Sequence, residues 1–172
     1  MAHRRPARSI TITFRPPPSV TPPRDADAVV GAAIRAAGLT VDETDGDGWS
    51  FSLPHQTRVF GVIPRDIDEQ AILHIASNDE LSEIVLSCHP TETHNAHAAG
   101  LAGVFFVAAA MWFAGGLVGG LLPAVTTVIA GALLVDVTRH WAFDALERRL
   151  RRLADDIGSA VWPGQPGQIT VA

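Results

Sequence analysis

Along this chain apolar residues first alternate, then recur at helical spacing, and then run on without interruption. Ser9–Arg15 alternates Ile10, Ile12 and Phe14 with threonine, the period of a strand with one buried face. A proline-rich connector over 16–23 follows. Asp25 stands where a helix cap is expected, and Val29, Val30, Ile34 and Ala37 then fall on one side of a helix over 26–37, with Gly38 as its stop. Asp45-Gly46-Asp47-Gly48 reads as a turn. Beyond it, Trp49–Leu53 and Thr57–Ile63 alternate as two strands around Pro54-His55-Gln56. Ala71–Ala76 and Ser82–Cys88 form a further pair around Asn78-Asp79. The pattern predicts an α+β domain over 9–92: one helix on a small antiparallel sheet of about five strands.

From Ala98 to Val135 the alternation ends, and 38 residues pass without a charged side chain or a histidine. At 1.5 Å of rise per residue the run would make roughly 57 Å of helix, against about 30 Å of bilayer hydrocarbon. One straight span is too long and two fit, with Gly115, Gly116, Gly119, Gly120 and Pro123 as the place to fold back. The pattern predicts a transmembrane helical hairpin over 98–137, turning near 115–122 and preceded by a juxtamembrane linker at 93–97. Gly115 with Gly119, Gly116 with Gly120 and Ala98 with Ala102 are each four apart, the spacing that lets helices approach closely in lipid. For the glycines the plainer reading, that they form the turn, is preferred.

After the hairpin, Phe143, Leu146, Leu150, Leu153, Ile157 and Ala160 follow a 3-4-3-4-3 spacing within a helix over 138–162. Asp144 with Arg148, Glu147 with Arg151, Arg151 with Asp155 and Arg152 with Asp156 supply i,i+4 pairs on its wet face. The apolar stripe of this amphipathic helix needs a partner: the protein's own sheet, a second copy, or the membrane surface. A C-terminal tail, 163–172, closes the chain. The order strand, helix, strands, helix is similar in outline to helix-grip lipid-binding folds with a hairpin inserted before the last helix. Five strands are fewer than such folds use, and no motif carries the likeness further.

Charge orients the hairpin. Residues 1–97 carry 13 acids and eight arginines, including a basic tail at 1–8, while 138–172 carries five arginines and four acids. The acidic balance, a net charge of −5, argues against nucleic acid as the main partner. Arg139, Arg148, Arg149, Arg151 and Arg152 follow the second span, and the turn has no charge. The positive-inside rule then places both flanks in the cytoplasm and the turn across the bilayer. Trp141 and Phe143 suit an interfacial aromatic belt, and Asp136 is expected to pair with Arg139. No apolar segment follows the arginines of the basic tail, so a secretory signal peptide is not expected there.

Candidate chemistry is sparse. Cys88, the single cysteine, allows no intrachain disulfide. With His89, His94 and His97 it offers residue types that ligate transition metals, but the spacing matches no structural zinc pattern. A shared response of these histidines to acid is the other reading of the cluster. Glu43–Gly48 resembles the first half of an EF-hand loop and then fails, because Pro54 stands where a bidentate glutamate is needed. No nucleophile motif or phosphate-binding loop is present.

These features lead to the expectation of a bacterial, multi-pass inner-membrane protein that is not an enzyme and carries no cofactor, catalytic residue or resident metal. Its cytosolic α+β domain would act as an interaction, scaffold or regulatory module, as a homo-oligomer or beside a membrane protein partner. One rival is a pore-forming or membrane-disrupting hairpin, although only Thr126 and Thr127 offer it a polar face. The other is a membrane-tethered domain binding a lipid or hydrophobic ligand between sheet and C-terminal helix.

Overall fold

The computed structural model describes residues 9–17, 25–45, 48–59, 63–78 and 81–172. Outside the described residues lie the basic tail 1–8, residues 18–24 of and beyond the proline connector, and 46–47, 60–62 and 79–80 at or near the expected turns. The described residues form β1 (Ile10–Arg15), α1 (Ala26–Ala36), β2 (Val41–Asp45), β3 (Gly48–Val59), β4 (Ile63–Asn78), β5 (Leu81–Cys88), α2 (Thr91–Gly119), α3 (Leu121–Val161) and β6 (Gln168–Val171). The strands make one sheet in the order β2-β3-β4-β5-β1-β6. β1 pairs antiparallel with β5 on one side and β6 on the other.

The sheet therefore has six strands among the described residues, not five, and the expected strands at 49–53, 57–63 and 71–76 are replaced by β3 and a longer β4 that begins at Ile63. Residues 54–56 are not a turn: β3 runs straight through Pro54. Its inward side chains keep one parity, with Trp49, Phe51, Leu53, Thr57 and Val59 all buried, so the period of two is unbroken across the proline. β2 reaches along β3 only as far as Phe51, opposite Val41, so Pro54 lies beyond the stretch paired with that edge strand. The two strands without a clear sequence signal are the outermost ones. β2 is acidic, a composition poor in intrinsic strand preference but suited to blunting an edge. β6, only four residues long, arises within the expected tail and pairs Val171 with Ile12.

The chain divides into two compact units, the first comprising Met1–Pro54, Asp68–Pro90 and Ala145–Ala172. One sheet face forms its core. The register sets Ile10 opposite Cys88, Ile12 opposite Leu86 and Phe14 opposite Ile84, with Ala71 and Leu73 opposite Cys88 and Leu86. All of these are buried. α1 ends as its sequence demands. Gly38 takes φ 75°, its N–H bonds the Arg35 carbonyl at 2.9 Å, and the Leu39 N–H reaches the Ile34 carbonyl at 3.2 Å. This is a Schellman stop with its apolar Ile34 and Leu39 pair buried. At the other end the Asp25 side chain makes no capping bond, contrary to expectation; its backbone carbonyl accepts from Val29 N–H at 3.1 Å.

The C-terminal part of α3 lies on this sheet, and Leu146, Leu150, Leu153 and Ile157 of its stripe are buried. Gly158 explains how close it comes: a Cβ there would stand 2.6 Å from three atoms of the Phe14 ring. That ring stacks on Trp162 with centroids 5.8 Å apart and planes 10° from parallel. Gly167, just before β6, meets the same ring, so one phenylalanine organises β1, α3 and β6. Of the expected i,i+4 pairs, Glu147–Arg151 forms at 2.9 Å. Arg149 instead donates to the Pro54 carbonyl.

The second unit comprises His55–Ile67 and Thr91–Asp144. α2 begins at Thr91, so residues 93–97 are helical and no linker separates them from the apolar run. No break occurs at 137 either; α3 is one helix of 41 residues. Gly116, at φ 69°, interrupts helical geometry where the chain reverses. A Cβ on Gly115 would lie 2.7 Å from Gly120 backbone atoms, and one on Gly120 would lie 2.6 Å from the Trp112 carbonyl oxygen. These glycines thus make the turn. Contacts then step away from it in pairs: Thr127 hydroxyl to Met111 sulfur at 3.3 Å, and Gly131 against Val104. The two helices run antiparallel through a seam of small residues that includes buried Val104, Ala108, Ala124 and Val135. Ala98 and Ala102 are exposed and lie off that seam.

Candidate functional site

Antiparallel pairing brings together residues equally far from the turn. At the end of the hairpin remote from the turn, His94 and His97 of α2 and Asp136 and Arg139 of α3 help to line an open groove of about 290 Å³. Ala98, Leu101, Ala132 and Val135 complete its lining. Most of the lining surface is apolar.

His97 is the most constrained of these groups. It is 2% exposed, and its Nδ1 donates to the Thr93 carbonyl one turn earlier, at 2.7 Å. A carbonyl oxygen only accepts, so Nδ1 carries a proton in this contact. The ring's Nε2 is buried and has no hydrogen-bond partner among the described residues. Leaving such a buried polar atom unpaired costs roughly 1–3 kcal/mol of uncompensated desolvation. Thr93 is fully buried, and its hydroxyl lies 3.0 Å from His55 Nε2. Beside these groups, Val59, Ile67 and Ala96 make a small apolar cluster.

The α3 side carries charge. Arg139 Nη2 donates to Asp136 Oδ1 at 3.2 Å, the pairing expected from the sequence. His140 Nδ1 donates to the Asp136 backbone carbonyl at 2.8 Å. Asp136 and Arg139 side chains are 57% and 41% exposed, so the pair is open to a competing ligand. Nearer the turn, Phe105, Ala108 and Trp112 face Ala124, Val128 and Ile129 across an apolar cleft of about 500 Å³.

The four metal candidates are divided. Cys88 and His89 belong to the first unit, His94 and His97 to the second. Among the described residues no group of three or more histidine, cysteine or carboxylate side chains is placed to hold a metal ion. Cys88 is fully buried on the inner sheet face, and its thiol is pushed up to about 12, first by burial and then by the charge of Glu69. A thiol so protonated is a poor nucleophile at neutral pH.

Sequence reasoning singled out His94, His97, Asp136 and Arg139, but as two separate features. The link was available: counted from the glycine turn, His97 and Asp136 stand at similar depth on opposite arms. His55 had no such signal, because its place depends on β3 continuing past Pro54. Comparison of the chain with protein families, characterised proteins and solved structures finds no match.

Proposed function

We propose that this chain is a two-span integral protein of the inner cell membrane, with both flanks of the hairpin in the cytoplasm. Its α+β domain would serve there as a non-enzymatic interaction module of a membrane complex. One observation carries the reading. Both long helices contain apolar windows, of mean hydropathy 1.8 and 1.9, of which only 17% is buried within the protein. A helix apolar all round is either buried in a core or spans a membrane, and these windows are not in a core. Phe105, Phe106 and Val107 are consecutive, hence about 100° apart around α2, and all three are exposed, as are Leu122, Ile129 and Leu133 of α3.

The backbone arithmetic agrees. Residues 98–115 make roughly 27 Å of helix and 121–137 roughly 26 Å, close to the hydrocarbon thickness. Hydroxyls in this part of α3 are satisfied internally, as lipid requires. Thr126 donates to the Leu122 carbonyl at 2.8 Å, Thr127 to Met111 sulfur, and Thr138 to the Leu134 carbonyl at 2.9 Å. With Thr126 and Thr127 engaged in this way, the pore reading loses its only polar face. The interaction role draws on the outer sheet face, where Thr11, Thr13, Ile72, His74 and Val85 are half-buried or exposed.

Fractionation of cells producing the chain tests the proposal. The expected result is a chain that resists alkaline carbonate and urea, dissolves in detergent, and retains a second copy or another protein at fixed stoichiometry through gel filtration. A chain recovered from the aqueous fraction as a monodisperse monomer contradicts it.

A further inference from the structure

We propose that β6 is the surface on which two copies of this chain associate, each β6 lying antiparallel to the other so that two sheets join into one. Such a joint rests on the interaction role proposed above and gives that role a surface and a partner. The two edges of the sheet differ. At one edge β2 has the sequence Val-Asp-Glu-Thr-Asp, and its register on β3 shifts between Val41 and Glu43. Like charges and an irregular ladder both discourage a further strand there. At the other edge β6 reads Gln-Ile-Thr-Val, with neither charge nor proline. An edge strand of that kind is a template for another strand.

Backbone parity decides which groups β6 offers. Thr11 and Ala172 exchange both of their backbone hydrogen bonds, at 3.2 and 3.0 Å. Alternate pairs of an antiparallel ladder do the same, so Gln168, Thr170 and Ala172 turn their N–H and C=O groups toward β1. Ile169 and Val171 turn theirs the other way, where β6 has no neighbour among the described strands. Two such edges fit each other about a two-fold axis through Thr170. Ile169 of each copy then exchanges hydrogen bonds with Val171 of the other, and every outward group of both residues is paired. Ile169 and Val171 are half-buried opposite Phe14 and Ile12, so the joint carries the apolar core face from one sheet into the next. Thr170, which is exposed, meets its own copy as a threonine pair. Pairing of β6 with β2 of another copy would instead set it on the shifted, acidic edge and build an open chain of molecules. The closed pair uses only the uncharged edge.

The test is oxidative crosslinking of the full chain with copper phenanthroline, in whichever cell fraction holds it. Thr170→Cys should give a disulfide-linked dimer, because a non-hydrogen-bonded pair sets its Cα atoms about 4.5 Å apart, within the reach of a disulfide. Gln168→Cys should not, since its counterpart lies four residues further along the second strand, roughly 14 Å away. Both positions are exposed, and Cys88 is buried and adds no crosslink of its own. Thr170→Glu sets like charges face to face and should weaken association about fivefold, with the urea midpoint of the single chain unchanged. Equal crosslinking at 168 and 170, no crosslink at 170, or a dimer indifferent to Thr170→Glu overturns the proposal. A Thr170→Cys chain that crosslinks to a different protein instead of itself overturns the second copy as occupant. A chain that fails here yet retains another protein through gel filtration refutes this joint alone, whereas one that retains nothing refutes the interaction role as well.

Discussion

Ile129 and Ile63 are equally exposed, at 57% each, yet the membrane reading assigns them opposite responses to the same substitution. Ile129 lies at the midpoint of the span over 121–137, and Ile63 begins β4. An arginine at a span centre costs about 2.5–3.5 kcal/mol of insertion, and the isoleucine lost there contributed about 0.3–0.6 kcal/mol in favour. Ile129→Arg should therefore cost roughly 3–4 kcal/mol, which lowers the ratio of inserted to uninserted chain by about 100- to 1000-fold. On a surface wetted by water the same change is worth within about 0.5 kcal/mol of nothing, as expected for Ile63→Arg. Phe106→Arg, at the midpoint of the first span and 78% exposed as Phe106, should repeat the effect. The assay is the fraction of newly made chain that resists carbonate extraction from isolated membranes. If Ile129→Arg and Ile63→Arg extract alike, the apolar helices face water and the reasoning fails.

Three further outcomes follow from particular contacts. Gly131→Val should destabilise the hairpin by about 1–3 kcal/mol, because its Cβ would stand 2.6 Å from both γ-carbons of Val104, leaving that stiff side chain no rotamer to escape into; denaturation in mild detergent reads this, and an unchanged midpoint refutes the seam. Phe14→Ala should cost about 3–5 kcal/mol of domain stability, since the ring is 1% exposed and stacked on Trp162; tryptophan fluorescence during urea unfolding measures the shift, and a change under about 1 kcal/mol contradicts the packing. Cys88, with its thiol raised to about 12, stays protonated and unreactive at pH 7–8 and gains thiolate only as pH approaches that value. Maleimide should label the chain only after denaturation, and labelling of the native protein at pH 7.5 would place Cys88 elsewhere.

Long, strongly periodic features were legible in the sequence. β1, α1 with its Gly38 stop, the pair β4 and β5 and the two apolar helices follow from burial periods that dominate their segments. What escaped was what tertiary pairing decides. β2 and β6 are edge strands, one acidic and one four residues long, whose existence depends on β3 and β1 being there to pair with. Pro54 looked like a turn because proline punctuates most strands, yet the odd-numbered parity from Trp49 to Val59 already marked a single strand. The site was half visible. His97 and Asp136 each drew notice, but bringing them to one groove required folding the chain about Gly116, and the Nδ1 bond of His97 required α2 to begin early enough for Thr93 to be its acceptor.

Cysteine accessibility across the bilayer tests the account most directly, and the silent Cys88 lets each introduced thiol be read without background. Gly119→Cys sits at the turn, where an added Cβ meets nothing within 4 Å, and Ala160→Cys lies on an exposed position near the end of α3. In intact spheroplasts a membrane-impermeant maleimide should label residue 119 at once and residue 160 only after the membrane is opened. Labelling of both residues from the same side would mean that the hairpin does not cross the bilayer, and the central claim would fall.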